Sequence, residues 1–265
     1  MSSSAPPPAS SAVEVRVTPA GATLWFTDHT VVKEHAARTA RTELVTRLRL
    51  AGTHPAFVPP LVSRPLTTRD GRPLTVWPRV AVATPTDPAL PWAEAGRLLA
   101  GLHRSPAAPD LPAHCWPARL DRAAGRAPSG LVMLGEQLSA QLAGRAEPRV
   151  LVHGDWHLGQ LGSWAAGWRL IDIDDLGVGD PAWDLARPAG FWAAGLLGDA
   201  DWHAFLDAYR TAGGPAVPPA GDPWPTLDLP ARVAVYVAAV RALREPSHSE
   251  GTADALVEAC RAMAQ

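Results

Sequence analysis

Three short stretches decide the fold of this chain: HGDWHLGQ at residues 153–160, WRLIDIDD at 168–175 and GDPAWDLA at 179–186. Polar side chains in the first two stretches follow or end an apolar run, which places them on a tight turn or at a strand end facing a cleft. Together the stretches provide several carboxylates and one carboxamide. Such a set can serve both a hard cation and a proton-accepting base.

The individual positions fit that chemistry. Asp155 lies on a glycine-containing turn directly after the apolar residues 150–152, so its carboxylate can point into a cleft. Gln160 follows with a neutral oxygen, and Asp172 comes directly after the apolar run 168–171. Oxygen atoms are the ligands that Mg²⁺ prefers in proteins. One carboxylate is therefore available as a base while the other binds metal.

The three stretches resemble, in order, the motifs of the protein-kinase-like phosphotransferases, and within them the aminoglycoside phosphotransferase and choline kinase group. That group has a catalytic loop HGDxxxxN, a metal strand with IDxx and a helix start GDPxxDLA. Three ordered matches are far more specific than a single glycine-rich loop. The loop ending, with Gln160 in place of the usual asparagine, is similar to the maltokinase-like branch.

This resemblance implies an α+β, two-lobed protein-kinase-like fold. A small antiparallel β-sheet with one helix forms the nucleotide-binding lobe, at residues 13–80, and a larger, mainly helical lobe at 81–265 carries catalysis and the acceptor. The resemblance also implies ATP or GTP and Mg²⁺ as cofactors, and it assigns roles to individual residues. Asp155 is the catalytic base, His153 braces the loop, and Gln160 and Asp172 bind the metal.

Asp174 is a further candidate for the metal site. It follows Asp172 by two positions, so both side chains point to the same side if the strand continues. Exposure to solvent is the alternative. The pattern of His153, Asp155 and His157 also occurs among zinc ligands, but no second group of His or Cys with matching spacing follows. The oxygen-rich residues downstream favour magnesium.

The rarity of lysine in this chain supports a nucleotide-binding role independently of the three motifs. The chain has a single lysine, Lys33, against 23 arginines, and it contains no asparagine and only two isoleucines, which indicates a coding sequence biased away from A and T. Lys33 ends a short apolar strand, where the resembling family places the lysine that contacts the α and β phosphates. The broad fork of arginine cannot replace a compact ammonium in such a pocket. A surface lysine that escaped the bias is the alternative.

Two further residues are predicted to assist the nucleotide. Glu43 lies in a helical run at residues 38–50 and is expected to face Lys33, as the family's Lys and Glu pair does. Glu34 is the poorer candidate, because neighbours on a strand point to opposite faces. Gly21, in the short turn at 18–21, is predicted to cover the phosphates by position only.

Composition limits the classes of partner. The net charge of −2 implies no general polyanion partner, so no nucleic acid is expected. No apolar run reaches the length of a membrane span, two cysteines are too few for a disulfide framework, and the first twelve residues lack the features of a signal peptide. We therefore expect a cytoplasmic protein with a disordered tail at residues 1–12. The oligomeric state is left open.

The acceptor is less defined than the reaction. A small-molecule hydroxyl is expected: an aminoglycoside or related antibiotic, a sugar or an amino alcohol. Residues 180–265 carry 6 basic and 11 acidic side chains, and four aspartates there either hold a polyamine acceptor or form a solvated helical face; they are Asp199, Asp201, Asp207 and Asp222. Trp156 can present its ring to a sugar or apolar acceptor. A nucleotide-binding pseudokinase or scaffold is the alternative function, suggested by the thin phosphate turn and by Gln160.

Periodicity and punctuation predict the elements around these motifs. Strands are expected at residues 13–17, 23–26, 31–33, 58–63 and 74–80, with a hairpin turn at 69–72. Helices are expected at 93–104, 130–143, 183–197, 202–211, 231–244 and 252–264. The proline-rich residues 214–230 are predicted to form a loop that shapes the acceptor pocket.

Overall fold

A computed structural model of the chain describes residues 13–18, 20–84, 86–87, 89–108, 110–145, 148–244 and 250–264. The chain divides into two compact units, Met1–Ala81 and Val82–Gln265. The tail that the sequence predicts at residues 1–12 lies outside the described residues.

The first unit is built on one antiparallel sheet. Its elements are β1 (Glu14–Val17), β2 (Thr23–Phe26), β3 (Thr30–Glu34), α1 (Arg41–Thr53), β4 (Leu66–Thr67) and β5 (Pro73–Pro78). The five strands lie in the order β1-β2-β3-β5-β4, and helix α1 joins β3 to β4. Gly71, with φ of 86°, closes the turn between β4 and β5, and the hairpin predicted at 69–72 is confirmed.

The strand predicted at residues 58–63 is wrong. The segment after α1 has no regular structure, although Phe57 and Val58 are buried. Pro59 and Pro60 lack the backbone N–H that a strand interior needs to pair with a neighbour. The fourth strand is instead β4, a pair of residues that meets β5 across the hairpin turn.

The second unit is mainly helical. Its helices are α2 (Trp92–His103), α3 (Trp116–Ala124), α4 (Ser129–Leu142), α5 (Ala182–Ala193), α6 (Asp199–Thr211), α7 (Trp224–Ala242) and α8 (Glu250–Met263). Its strands are β6 (Val150–Val152), β7 (Leu161–Trp164), β8 (Gly167–Leu170) and β9 (Gly177–Gly179). Two short antiparallel pairs, β6 with β9 and β7 with β8, carry the predicted catalytic and metal segments between α4 and α5.

An apolar cluster packs five helices of the second unit together: α3, α4, α5, α7 and α8. Trp116 of α3, Leu138 of α4, Trp183 of α5 and Tyr236 of α7 are buried in it, and Leu256 of α8 joins them. Trp116 and Trp183 stack with ring centroids 5.4 Å apart. Burying side chains of this size contributes about 1.5–3 kcal/mol each. The cluster therefore fixes α3 and α5, which carry two of the site residues described below.

Most of the predicted helices are present, with two differences. Helix α3 was not expected, and α7 begins at Trp224, so the prediction of a loop throughout 214–230 is wrong. Proline is tolerated in the first turn of a helix, where Pro225 lies. Pro230 lies inside the helix and is buried with Leu227 and Leu229. Burial of that apolar face offsets the hydrogen bond that Pro230 cannot donate.

The predicted fold class is confirmed: the protein is α+β, with a small antiparallel sheet in one unit and a helical majority in the other. None of the described helices has both the length and the hydropathy that a bilayer crossing requires.

Candidate active site

The loop after β6 depends on one glycine. Gly154 has φ of +82°, a conformation that glycine adopts without strain. A Cβ atom at this position would lie 2.2 Å from the main-chain oxygen of Asp175, which is closer than any real contact. The HGD turn is therefore packed directly against the segment that follows β8, and only glycine fits between them.

Asp184, on the first turn of α5, holds that loop in place through hydrogen bonds. Its carboxylate accepts hydrogen bonds from the backbone N–H groups of His153, at 2.6 Å, and Gly154, at 2.8 Å. The same carboxylate is 3.0 Å from Nε2 of His103 on α2. Burial acts to raise the pKa of Asp184, but these hydrogen bonds and the imidazole hold it below its usual value. The aspartate of the GDPAWDLA stretch thus fixes the backbone that presents Asp155.

A hydrogen-bond chain holds His103 in place. The backbone N–H of Ala216 donates to the Tyr209 hydroxyl at 3.0 Å, and that hydroxyl is 2.8 Å from Nδ1 of His103. Burial raises the pKa of Tyr209, so the phenol keeps its proton. On the other side of the ring, the ionised carboxylate of Asp184 can only accept, so Nε2 of His103 donates to it.

His153 ties the loop to the end of β8. Its Nε2 donates to the main-chain oxygen of Ile171 at 2.9 Å, since a carbonyl can only accept. One residue on, Asp172 has φ of 61°, and its Oδ1 accepts the backbone N–H of Asp174 at 3.0 Å. β8 ends at Leu170, so the strand that would place Asp174 on the same side as Asp172 does not continue.

The backbone of Gln160 pairs with the residue that precedes Asp172. Gln160 ends a single 3-10 turn, and its main-chain oxygen accepts from the N–H of Ile171, the neighbour of Asp172, at 2.9 Å. In the part of the chain that the structure describes, no group of three or more His, Cys, Asp or Glu side chains is placed to hold a metal ion.

The carboxylate of Asp155 is held by two arginines. Arg119 of α3 donates to its Oδ1, and Nη2 of Arg187 of α5 is 3.3 Å from the same oxygen. Across the described residues, no hydrogen bond reaches Oδ2, and 29% of the side chain is exposed. Burial acts to raise the pKa of Asp155, but the two guanidinium groups lower it to about 2. The side chain is ionised, with one oxygen open to an incoming proton.

Arg119 is the centre of a wider network. Its guanidinium donates to Asp155 and Asp175 through its two Nη atoms and to Sγ of Cys115 through Nε, at 3.1 Å. It also lies over the ring of Trp116, 5.2 Å from the centroid. The Cys115 thiol donates to Asp175 at 2.9 Å. Sequence reasoning missed both site arginines, because in a chain with 23 arginines no single one stands out.

The predicted nucleotide residues lie in the first unit. Lys33 is buried on β3, and Glu43 lies on the first turn of α1 with its carboxylate 3.6 Å from Arg47. Glu34, the poorer candidate, is paired with Arg72. Gly21 adopts φ of 86°, and its carbonyl accepts from Arg72 at 2.9 Å. The pairing of Lys33 with Glu43 and the phosphate role of Gly21 stay predictions.

Trp156 does not present its ring to solvent. The side chain is 1% exposed and stacks on Phe205 with ring centroids 5.2 Å apart, so the expectation of a platform for the acceptor is wrong. Two of the four aspartates named above have local partners: Asp199 accepts from Trp192 at 2.7 Å, and Asp222 accepts the N–H of Trp224 at 3.0 Å. Both interpretations of the acidic face stay open.

Several solved structures have the same fold. A choline/ethanolamine kinase family protein from Mesorhizobium loti is 18% identical, with 96% of this chain and 88% of that chain covered and a TM-score of 0.65. Spectinomycin phosphotransferase, solved with ADP and spectinomycin, is 14% identical (93% and 88% covered, TM-score 0.58). Amicoumacin kinase, solved with AMP-PNP, Ca²⁺ and Ami, is 14% identical (94% and 86% covered, TM-score 0.65).

A comparison at the level of sequence families is decisive. None of the curated proteins matches the chain. The profile of the phosphotransferase enzyme family, however, matches residues 9–224, which include the sheet of the first unit and all three motif stretches. The chain therefore belongs to the phosphotransferase enzyme family, and it is a small-molecule kinase that uses an alcohol group as acceptor.

Proposed function

We propose that the protein transfers the γ-phosphoryl group of ATP to a hydroxyl of an aminoglycoside-like antibiotic, a sugar or an amino alcohol, with Asp155 as base. One observation carries the proposal: in a member of this family, the ionised Asp155 carboxylate lies on a braced loop with Oδ2 open. The carboxylate, its open Oδ2 atom and its ionised state all suit a proton acceptor.

In the proposed reaction, the acceptor hydroxyl donates a hydrogen bond to Oδ2 of Asp155. The hydroxyl oxygen forms a bond to the γ-phosphorus as the bond between that phosphorus and the β–γ bridging oxygen breaks. ADP leaves, and the hydroxyl proton passes to Oδ2. With a pKa of about 2, Asp155 is a weak base, so its contribution is mainly to orient the hydroxyl, with proton transfer late in the step.

Asp172 and Gln160 are proposed to hold Mg²⁺, with Asp174 as a supporting residue. The donor set fits this ion, because Mg²⁺ takes oxygen ligands, uses few protein carboxylates and completes its shell with water and phosphate oxygens. The backbone pairing of Gln160 with Ile171 supports the assignment, since it places Gln160 beside the residue that precedes Asp172. When bound, the ion neutralises phosphate charge.

Lys33 is proposed to contact the α and β phosphates, with Glu43 behind it and Gly21 covering them. The place of Lys33 on β3, with its side chain buried, supports this role, because the family that the motifs resemble has its phosphate-contacting lysine at such a strand position. His153 is proposed to keep the catalytic loop attached to the metal segment. Nucleotides bound to the relatives, such as ADP and AMP-PNP, support the use of a nucleoside triphosphate, which we expect the protein to meet in the cytoplasm.

The test is turnover with the purified full chain. ADP release is measured with ATP or GTP and Mg²⁺ over a panel of hydroxyl acceptors that includes spectinomycin, aminoglycosides, sugars and choline, and the product is identified by mass. We expect ADP release that depends on one class of acceptor. Resistance of an expressing host then shows whether that acceptor is an antibiotic. Binding of nucleotide without turnover on any acceptor favours the alternative, a nucleotide-binding scaffold.

A further inference from the structure

Arg187 has more hydrogen-bonding capacity than the protein uses. A guanidinium carries five N–H donors. In the part of the chain that the structure describes, Arg187 makes one hydrogen bond, to Oδ1 of Asp155 at 3.3 Å, and it shares that oxygen with Arg119. No nitrogen of Arg187 is among the buried side-chain atoms that lack a partner, so its remaining donors reach solvent.

The surroundings of Arg187 are unfavourable for its positive charge. Only 24% of its side chain is exposed, and desolvation lowers its pKa. Arg119 and Arg241 repel it, while Asp155 is the carboxylate that attracts it. A half-buried cation beside like charges is unfavourable unless an anion offsets the repulsion.

Its position shows what the anion would do. Arg187 lies on α5, one turn after Asp184, and therefore on the same rigid support as the catalytic loop. Because Nη2 of Arg187 is 3.3 Å from Oδ1 of Asp155, an anion bound by the rest of the guanidinium would lie close to the proposed base. The guanidinium fork matches phosphate and carboxylate oxygens in two-point contacts.

We propose that Arg187 forms an oxyanion-binding site beside Asp155, which takes a phosphate or carboxylate group. Two sources share this chemistry: the phosphoryl group being transferred, or an anionic substituent of the acceptor. The second source narrows the acceptor to a hydroxyl compound with a negative group near the reacting hydroxyl, rather than a polyamine. The assignment of a source rests on the proposed function, whereas the existence of the anion site does not.

The experiment measures binding of inorganic phosphate to the full-length protein without nucleotide, by calorimetry at constant ionic strength. We expect saturable binding that is at least about tenfold weaker in Arg187→Gln, the loss given by a charge-assisted hydrogen-bond pair. Arg122→Gln, which removes the same charge from an exposed position on α3, is expected to bind phosphate as the wild type does. Equal binding by the wild type and Arg187→Gln overturns the proposal, as does a wild type with no saturable binding.

Two additions keep the test decisive. Arg187→Lys retains the charge and loses the fork, so it should bind phosphate more weakly than the wild type even if Arg187→Gln fails to fold, and unchanged binding by Arg187→Lys overturns the two-point site. The wild-type titration is then repeated with a non-hydrolysable ATP analogue bound. Loss of phosphate binding assigns the site to the transferred phosphoryl group, and persistence assigns it to the acceptor. Neither measurement needs turnover, so a failure of the proposed function is seen separately.

Discussion

Arg119 donates a hydrogen bond to Oδ1 of Asp155, and the same guanidinium also holds Asp175. Asp155 and Asp175 belong to different motif stretches, separated in the chain by the β7–β8 hairpin. One residue of α3 thus joins the proposed catalytic loop to the proposed metal segment and, with Arg187, lowers the pKa of Asp155 to about 2 despite burial. Arg119 therefore contributes to both the position and the ionised state of the proposed base.

Removing Arg119 should change the pH dependence of activity. In Arg119→Gln the pKa of Asp155 rises, because burial then acts with less compensation. Protonated Asp155 cannot accept the hydroxyl proton, so the acidic limb of kcat/KM should move to higher pH by about one to two units. Arg122→Gln, at an exposed position on the same helix, should keep the wild-type profile. An unchanged acidic limb in Arg119→Gln would show that Asp155 titration does not control the rate.

The buried carboxylate of Asp184 should be important for stability. Asp184→Asn loses the charge that holds His103 and two backbone donors of the loop, and we expect a loss of about 3 kcal/mol in the free energy of unfolding. Asp180→Asn is the matched control, because Asp180 accepts the N–H of Ala182 at the start of α5 and the carboxamide oxygen of asparagine can accept the same hydrogen bond. Urea denaturation measures both. Equal losses would contradict the bracing role of Asp184.

Substitutions at two glycines with the same backbone conformation allow the effect of backbone strain to be measured separately from that of steric conflict. Gly71 and Gly154 have φ of 86° and 82°, but a Cβ meets nothing within 4 Å at Gly71 and would lie 2.2 Å from a backbone oxygen at Gly154. Gly71→Ala should cost about 1 kcal/mol through strain alone. Gly154→Ala should cost more and should also lower kcat, because it moves the loop that carries Asp155. Similar effects of the two variants on kcat would contradict this packing.

Lys33 should tolerate neither neutralisation nor arginine. If it contacts the α and β phosphates, Lys33→Arg should lower kcat/KM for the nucleotide at least about tenfold, since a planar fork does not replace a compact ammonium. Lys33→Gln gives the effect of losing the charge altogether. Steady-state kinetics with the nucleotide varied measures both variants. Wild-type kcat/KM in Lys33→Arg would mean that the position requires only a positive charge.

The sequence was sufficient for the fold class and the family because the informative residues are adjacent in the chain. The motifs HGD, IDID and GDPAWDLA predict, in that order, a loop, a strand end and a helix start. Each motif lies in the element that was predicted for it. Helix α7 was predicted to start too late because Pro225 and Pro230 read as loop residues. Only the buried partners of that helix show why it extends through them.

The sequence could not predict which side chains surround Asp155, the proposed base, and the reason is physical. Arg119 and Arg187 come from helices on either side of the catalytic loop in the chain, and no local pattern distinguishes them from the other arginines. Trp156 follows the base and was expected at the site, but stacking on Phe205 buries it. Which residues meet in space depends on helix packing, and helix packing is not a local property.

The most direct test of the central claim is turnover by Asp155→Ala once an acceptor is known. Loss of the base should lower kcat by about 10²–10⁴-fold, while calorimetry shows that the nucleotide still binds. Asp175→Asn, which removes the charge from the other carboxylate that Arg119 contacts but leaves Asp155 in place, should lose far less activity. Wild-type kcat in Asp155→Ala would contradict the account and remove Asp155 from the role of base.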